Sequence, residues 1–135
     1  VINFFVDRAL SGETLTVYEP GTQARNFIHV KDVARAYIRS AERLVEQVSD
    51  GVTGTETYEI AGQEDMSVMA VAEIVQEVTE AERGTTVPVE LVENPRSSET
   101  MVEKFDVSIT DAKTRLGWST DKKVRDSIRK TIKKE

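Results

Sequence analysis

A mixed α/β fold of short strands and about five helices is what the sequence of 135 residues predicts. Runs rich in β-branched and aromatic residues alternate with segments of helical periodicity, so the strands cannot all pair through simple hairpins. Each helical segment also carries a start or stop signal of its own. The length suits one modest domain, 1–135, and is too short for two full ones.

Ile2, Phe5, Val6 and Ala9 recur at helical spacing, Leu10 adjoins that face and Gly12 follows as a stop, which predicts a helix over 2–10. Leu15-Thr16-Val17-Tyr18 is rich in strand formers and runs into the turn pair Pro20-Gly21, and Asn26 to Val30 reads as a second short strand. Asp32 stands where an N-cap belongs. Behind it Val33, Ala34, Tyr37, Ile38, Ala41, Leu44 and Val45 form the stripe of an amphipathic helix that Gly51 and Gly54 end. Thr57 to Ala61 reads as a strand closed by Gly62. Ser67 can cap the clearest helix of the chain, with Val68, Val71, Ala72, Ile74, Val75 and Val78 on its apolar face. Val87 to Val92 alternates as a strand, and Pro88 places its start or an edge there. Asn94 to Ser98 should be loop. A short helix from Thr110 to Leu116 stops at Gly117, and Thr120 is the expected cap of a last helix carrying Val124, Ile128 and Ile132.

The composition narrows the function classes. No apolar run approaches the roughly 20 residues of a membrane helix, so no membrane span is expected. The absence of cysteine excludes disulfides and thiolate metal sites, and one histidine is a poor basis for an imidazole zinc site. A cytoplasmic compartment is the expectation. The opening Val1-Ile2-Asn3-Phe4-Phe5 has neither an initiator methionine nor a signal-peptide pattern, and suggests a segment cut from a longer chain. The net charge of −6 hides an asymmetry: residues 1–112 carry 21 acidic and 9 basic side chains, residues 113–135 only 3 acidic and 9 basic. Cations late in a terminal helix complement its dipole, and no aromatic residue follows Trp118, so nucleic acid is not the expected partner.

Three stretches, in order, carry a family resemblance. The first is Leu15 to Tyr18 with Gly21-Thr22-Gln23-Ala24-Arg25-Asn26-Phe27-Ile28-His29-Val30-Lys31-Asp32-Val33-Ala34. The second is Tyr58-Glu59-Ile60-Ala61-Gly62 leading to Met66-Ser67-Val68. The third is Pro95-Arg96-Ser97-Ser98-Glu99 with Leu116-Gly117-Trp118 downstream. Each is weak alone. Together they resemble the C-terminal third of the extended short-chain dehydrogenase/reductases, the NAD-dependent nucleotide-sugar epimerases and dehydratases.

That resemblance implies the C-terminal, substrate-binding part of an extended Rossmann-type enzyme. Arg25 and Arg96 would converge on the pyrophosphate of a nucleotide sugar, a task that suits the bidentate guanidinium. Glu99 would accept hydrogen bonds from ribose hydroxyls, and Thr16, Val17, Tyr18, Phe27 and Val68 would contact the nucleotide. The apolar members of that set also suit an ordinary core. His29 and Asp32 read as structural, Asp32 as the helix cap. UDP-glucose 4-epimerase-like and dTDP-glucose 4,6-dehydratase-like enzymes are the rival readings, Pro-Arg-x-x-Glu leaning to the epimerase, and a non-enzymatic binding module is the alternative from another class.

The family's catalytic Tyr-x-x-x-Lys pair has no counterpart, because Tyr18, Tyr37 and Tyr58 are followed four residues later by Thr22, Ala41 and Gly62. No glycine-rich dinucleotide-binding turn occurs either. The resemblance therefore implies that NAD and the catalytic residues belong to an N-terminal Rossmann domain outside these residues. It implies an inactive isolated chain, an apolar face left for that domain, and a homodimeric intact enzyme. Glu19, Asn26, Glu59 and Ser97-Ser98 depart from the family pattern.

Overall fold

The computed structural model describes residues 1–96, 98 and 101–134. The elements run α1 (Ile2–Leu10), β1 (Leu15–Tyr18), β2 (Ala24–Phe27), α2 (Val30–Ser49), β3 (Glu64–Ser67), α3 (Val68–Arg83), β4 (Val89–Val92), α4 (Thr110–Leu116) and α5 (Val124–Lys134). Five helices and short strands match the predicted class. The strands form two pairs: β1 lies parallel to β4, with Leu15 opposite Val89 and Tyr18 opposite Val92, and β2 lies antiparallel to β3, with Ala24 opposite Ser67 and Phe27 opposite Glu64.

The larger core is a three-helix layer laid on β1. The valine face of α3 is fully buried, Phe5, Val6 and Ala9 of α1 pack on it, and the four-residue spacing of Val124, Ile128 and Ile132 turns one side of α5 into the same cluster. Leu15 and Val17 add the inner face of β1. A smaller cluster joins Ala36 of α2 to Ile109, Ala112 and Leu116 around α4 and to Trp118, with Tyr58, Ile60 and Ala61 against it.

Helix α2 is amphipathic in the reverse sense. Asp32 and Ala36 are buried, Arg43 and Gln47 are half-buried, and the apolar stripe faces out: Tyr37 is 75% exposed, Val45 69% and Val48 70%. The helix thus packs through its polar side and leaves a contiguous apolar face exposed.

The fourth strand starts at Val89 and not Val87, the strand Glu64–Ser67 has no counterpart in the sequence expectation, and four further differences each have a local reason. The second strand is Ala24–Phe27, because Ala24 to Phe27 are the residues in register with Glu64–Ser67. Helix α2 begins at Val30 with His29 as its N-cap, its ring Nδ1 accepting the Lys31 N–H at 3.1 Å, so Asp32 is an interior first-turn residue and not the cap. Thr57 to Ala61 is not a strand: among the described residues it has no strand partner, although burial still alternates along Glu56 to Ile60 with the period of two. Helix α5 starts at Val124 and not after Thr120. The amides of Asp121 and Lys122 donate to Asp32, and that of Val124 donates to Glu64 Oε2 at 2.8 Å, which holds the approach out of the helix.

Asn26 does the work of a strand partner for Gly62. Its Nδ2 donates to the Gly62 carbonyl at 2.9 Å and to Asp65 Oδ1 at 2.7 Å, while its Oδ1 accepts the Gly62 N–H at 2.8 Å. An aspartate there has no donors and would face Asp65 as a like charge. Asn26→Asp is expected to destabilise the fold by roughly 2 kcal/mol, read as a lower urea midpoint that recovers in part as the introduced carboxyl is protonated. An unchanged midpoint at neutral pH would show that the clasp contributes nothing.

Candidate functional site

In open α/β sheets, ligands bind beyond the carboxyl ends of parallel strands. Here that end is formed by Tyr18 and Val92, and the ladder runs one step further, where the Glu19 N–H donates to the Val92 carbonyl at 2.9 Å. Alternation along β1 puts Leu15 and Val17 in the core, Thr16 half-buried on the other face, and Tyr18 48% exposed at the tip.

The turn after β1 is fixed by Gly21. Its φ is +79°, a backbone conformation that favours glycine, and a Cβ there would press on Leu91 at 3.1 Å and Val17 at 3.3 Å. The Gly21 and Gln23 carbonyls accept the amides of Met69 and Val68, and Ser67 Oγ accepts that of Ala70 at 3.0 Å. The turn and the start of α3 are thereby locked together. The first-turn donors of α3 are all used inside the protein, so an anion at the strand ends depends on side chains for its recognition.

Of the two arginines, Arg25 lies in β2, which pairs with β3, and Arg96 lies beyond β4. Arg96 follows β4 by four residues, is exposed, and donates its backbone N–H to Asn94 Oδ1 at 2.8 Å. The same excursion returns to β2, where the Val102 carbonyl accepts the Ala24 N–H at 2.6 Å, next to Arg25. Arg25 is exposed and its guanidinium donates to the Ala24 carbonyl at 2.9 Å. Thr16, Val17 and Tyr18 thus meet the end of β4 by strand pairing and Val68 meets them through the locked turn. Val17 and Val68 are core side chains, and Phe27, at the far end of β2, packs partly buried on the larger cluster. Glu99 lies outside the described residues.

On α2, one carboxylate ties two of the sequence motifs together. Asp32 is buried; its Oδ1 pairs with Arg35 at 2.8 Å, its Oδ2 accepts the amides of Asp121 and Lys122 at 3.1 Å each, and its carbonyl accepts the indole N–H of buried Trp118 at 2.8 Å. Burial pushes the Asp32 carboxyl up, but the Lys122 N–H, the Arg35 guanidinium and the Asp121 N–H together outweigh it and hold the group below its ordinary 3.8. A second carboxylate, Glu56, receives two N–H groups of Arg43 at 2.7 and 2.9 Å, Gln47 at 2.7 Å and the Tyr58 hydroxyl, and Arg43 holds it below its ordinary value. Sequence reasoning missed the Asn26 clasp, the Glu64 bond to α5 and the Glu56 cluster. The one signal among them was Asn26, as an amide where an acid is usual.

Among the described residues, no group of three or more His, Asp or Glu side chains is arranged to hold a metal ion, and no helix is long and apolar enough to cross a membrane.

The parallel pair of β1 and β4, with a glycine turn after β1, is a fragment of an α/β arrangement. Residues 1–61 match the model of the NAD dependent epimerase/dehydratase family. The chain is 31% identical over 130 residues to UDP-glucuronic acid decarboxylase 6 of Arabidopsis thaliana, covering 95% of this chain and 33% of that protein. It is 25% identical over 136 residues to dTDP-glucose 4,6-dehydratase of Shigella flexneri, covering 98% and 35%. Among solved structures it is similar to the Bordetella bronchiseptica enzyme WbmF in complex with NADH, with a TM-score of 0.66, 30% identity, and 98% and 35% of the two chains covered. Over nearly all of its length the chain is thus similar to one part of proteins of the NAD dependent epimerase/dehydratase kind. It spans about a third of the length of the curated relatives it matches.

Proposed function

We propose that these residues are the nucleotide-sugar-binding part of an NAD-dependent 4-epimerase, with NAD and the catalytic groups held by an N-terminal Rossmann domain of the same protein. The observation that carries the reading is the Ala24–Val102 hydrogen bond, which brings the excursion that bears Arg96 back to the residue beside Arg25. Two guanidinium groups on the arms of one strand-end site suit a pyrophosphate, which carries two negative charges and accepts bidentate bonds. Thr16 and Tyr18, whose side chains in β1 are not fully buried, are the proposed contacts to the base, and Glu99 is the proposed acceptor for ribose hydroxyls.

The outward apolar stripe of α2 and the unpaired run Tyr58 to Ala61 support docking of the Rossmann domain on that side. NAD, when bound by that domain, supplies hydride transfer. The role of this chain is to hold and orient the sugar nucleotide, and with no Tyr-x-x-x-Lys it does not transform the sugar alone. Similarity to proteins named dTDP-glucose 4,6-dehydratase and UDP-glucuronic acid decarboxylase favours a second reading, in which the same part serves one of those reactions.

Titration with UDP-glucose, dTDP-glucose and UDP-glucuronic acid tests the binding role. The amide signals of Tyr18, Arg25 and Arg96 should shift together, and Arg25→Ala or Arg96→Ala should each weaken binding by about tenfold or more. Absence of any response at those three positions to all three compounds would leave the non-enzymatic module as the better reading. Product analysis with the whole encoded protein then separates epimerase, dehydratase and decarboxylase.

A further inference from the structure

A groove of about 710 Å³ lies between the first half of α1, the corner from β2 into α2, and the 121–134 segment. Five of the chain's eight lysines line it: Lys31, Lys122, Lys123, Lys130 and Lys134. The carboxylates in the lining are Asp121 and Asp126, so the groove carries a net charge of +3 in a chain whose total is −6. Of the residues expected at the strand ends, only Phe27 reaches it.

The helix dipole accounts for Lys134, in the last turn of α5, but not for the three lysines at helix starts. Lys31 is in the first turn of α2, and Lys122 and Lys123 directly precede α5, where a positive charge is disfavoured by the dipole. Ion pairing does not account for them either. On the outer side of α5, Arg125 pairs with Glu77, Arg129 with Glu82 and Asp126, and Lys133 with Glu82, which staples α5 to α3. None of the five groove lysines forms an ion pair among the described residues. Like charges gathered in a concavity, without ion pairs among the described residues and three of them set against a helix dipole, repel one another until an anion enters.

We infer that this groove binds a small multivalent phosphate compound, held by Lys31, Lys122 and Lys123 at its mouth and by Lys130 and Lys134 along α5. The charge of such a ligand answers the net +3, and its compact size suits the volume.

Inorganic tripolyphosphate is the probe. Calorimetric titration of the protein at low ionic strength should show saturable binding, with the amide signals of Lys31, Lys122 and Lys123 shifting. Raising salt to about 0.3 M should weaken it markedly. The double variant Lys122→Glu/Lys123→Glu should weaken binding by about tenfold or more, and Lys122→Gln/Lys123→Gln, a milder pair for the fold, should do so to a smaller degree; Arg39→Ala, which removes a cation outside the groove lining, should leave it unchanged. Undiminished affinity in both lysine variants with loss in Arg25→Ala would overturn the inference and place phosphate binding at the strand ends instead. Binding of duplex DNA at these lysines without any binding of tripolyphosphate would equally overturn it. Failure of the nucleotide-sugar titration at Tyr18, Arg25 and Arg96 leaves the groove result untouched, since the two sites are read by different residues.

Discussion

Gly62→Ala is expected to remove most of the folded population. An added Cβ would lie 1.7 Å from the Phe27 carbonyl oxygen and 2.7 Å from its carbon, a clash with backbone that no rotamer change relieves. Relief would mean moving residues 61 and 62 off β2. That would break both bonds between Asn26 and the Gly62 backbone and draw buried Ala61 away from the Trp118 cluster. Overpacking against immovable backbone belongs with the largest single-residue effects, above about 4 kcal/mol, against a total of roughly 5–15 kcal/mol for an ordinary domain. The variant should show collapsed amide dispersion or a urea transition near zero denaturant. A midpoint within about 0.5 kcal/mol of the parent would show that the crossing of these two segments is looser than described.

The second large effect is expected at Asp32. Asp32→Ala strands the Arg35 guanidinium and leaves two amides, those of Asp121 and Lys122, without an acceptor. Breaking one side of a buried charged cluster costs about 3–5 kcal/mol, and Asp32→Asn, which keeps one acceptor oxygen and the shape, should cost less. The pH dependence has a definite sign. The Asp32 carboxyl is held below its ordinary value in the folded chain, so the unfolded chain takes up the proton first. Its contribution is complete above about pH 4 and is lost as pH falls through the folded value. The deficit of Asp32→Ala relative to the parent should therefore shrink on acidification below about pH 4. A deficit that stays constant down to the acid transition would show that the ionised form has no special place in the fold.

The elements legible in the sequence were those whose signals are local. The helix over 2–10, the strand Leu15–Tyr18, the Ser67 cap and the stop at Gly117 all appear where periodicity and end signals put them. What the sequence hid was set by partners distant in the chain. Asp32 looks like a cap because it is an acid ahead of an apolar stripe, yet His29 is the cap and the Asp32 carboxylate serves residues nearly ninety positions away. Thr57 to Ala61 has the composition of a strand, and what it lacks is a neighbour to pair with. The proposed site shows the same division. Arg25, Arg96 and Tyr18 were legible as residue types in order, but the bond from Ala24 to Val102 that relates their loops has no sequence signature, and Val17 and Val68 belong to the core.

The reversed amphipathicity of α2 divides the molecule by the kind of force that holds each part. Helices α1, α3 and α5 cohere mainly through buried apolar surface, which excluded salts such as sulfate strengthen, with the ion pairs of α5 to Glu77 and Glu82 as a lesser, exposed contribution. Helix α2 is moored mainly through Asp32, Arg35, Arg43 and Gln47, and ion pairs that reach solvent are screened as ionic strength rises. One salt series thus acts on the two parts in opposite directions, firming the three-helix layer while loosening the moorings of the helix that displays the apolar stripe.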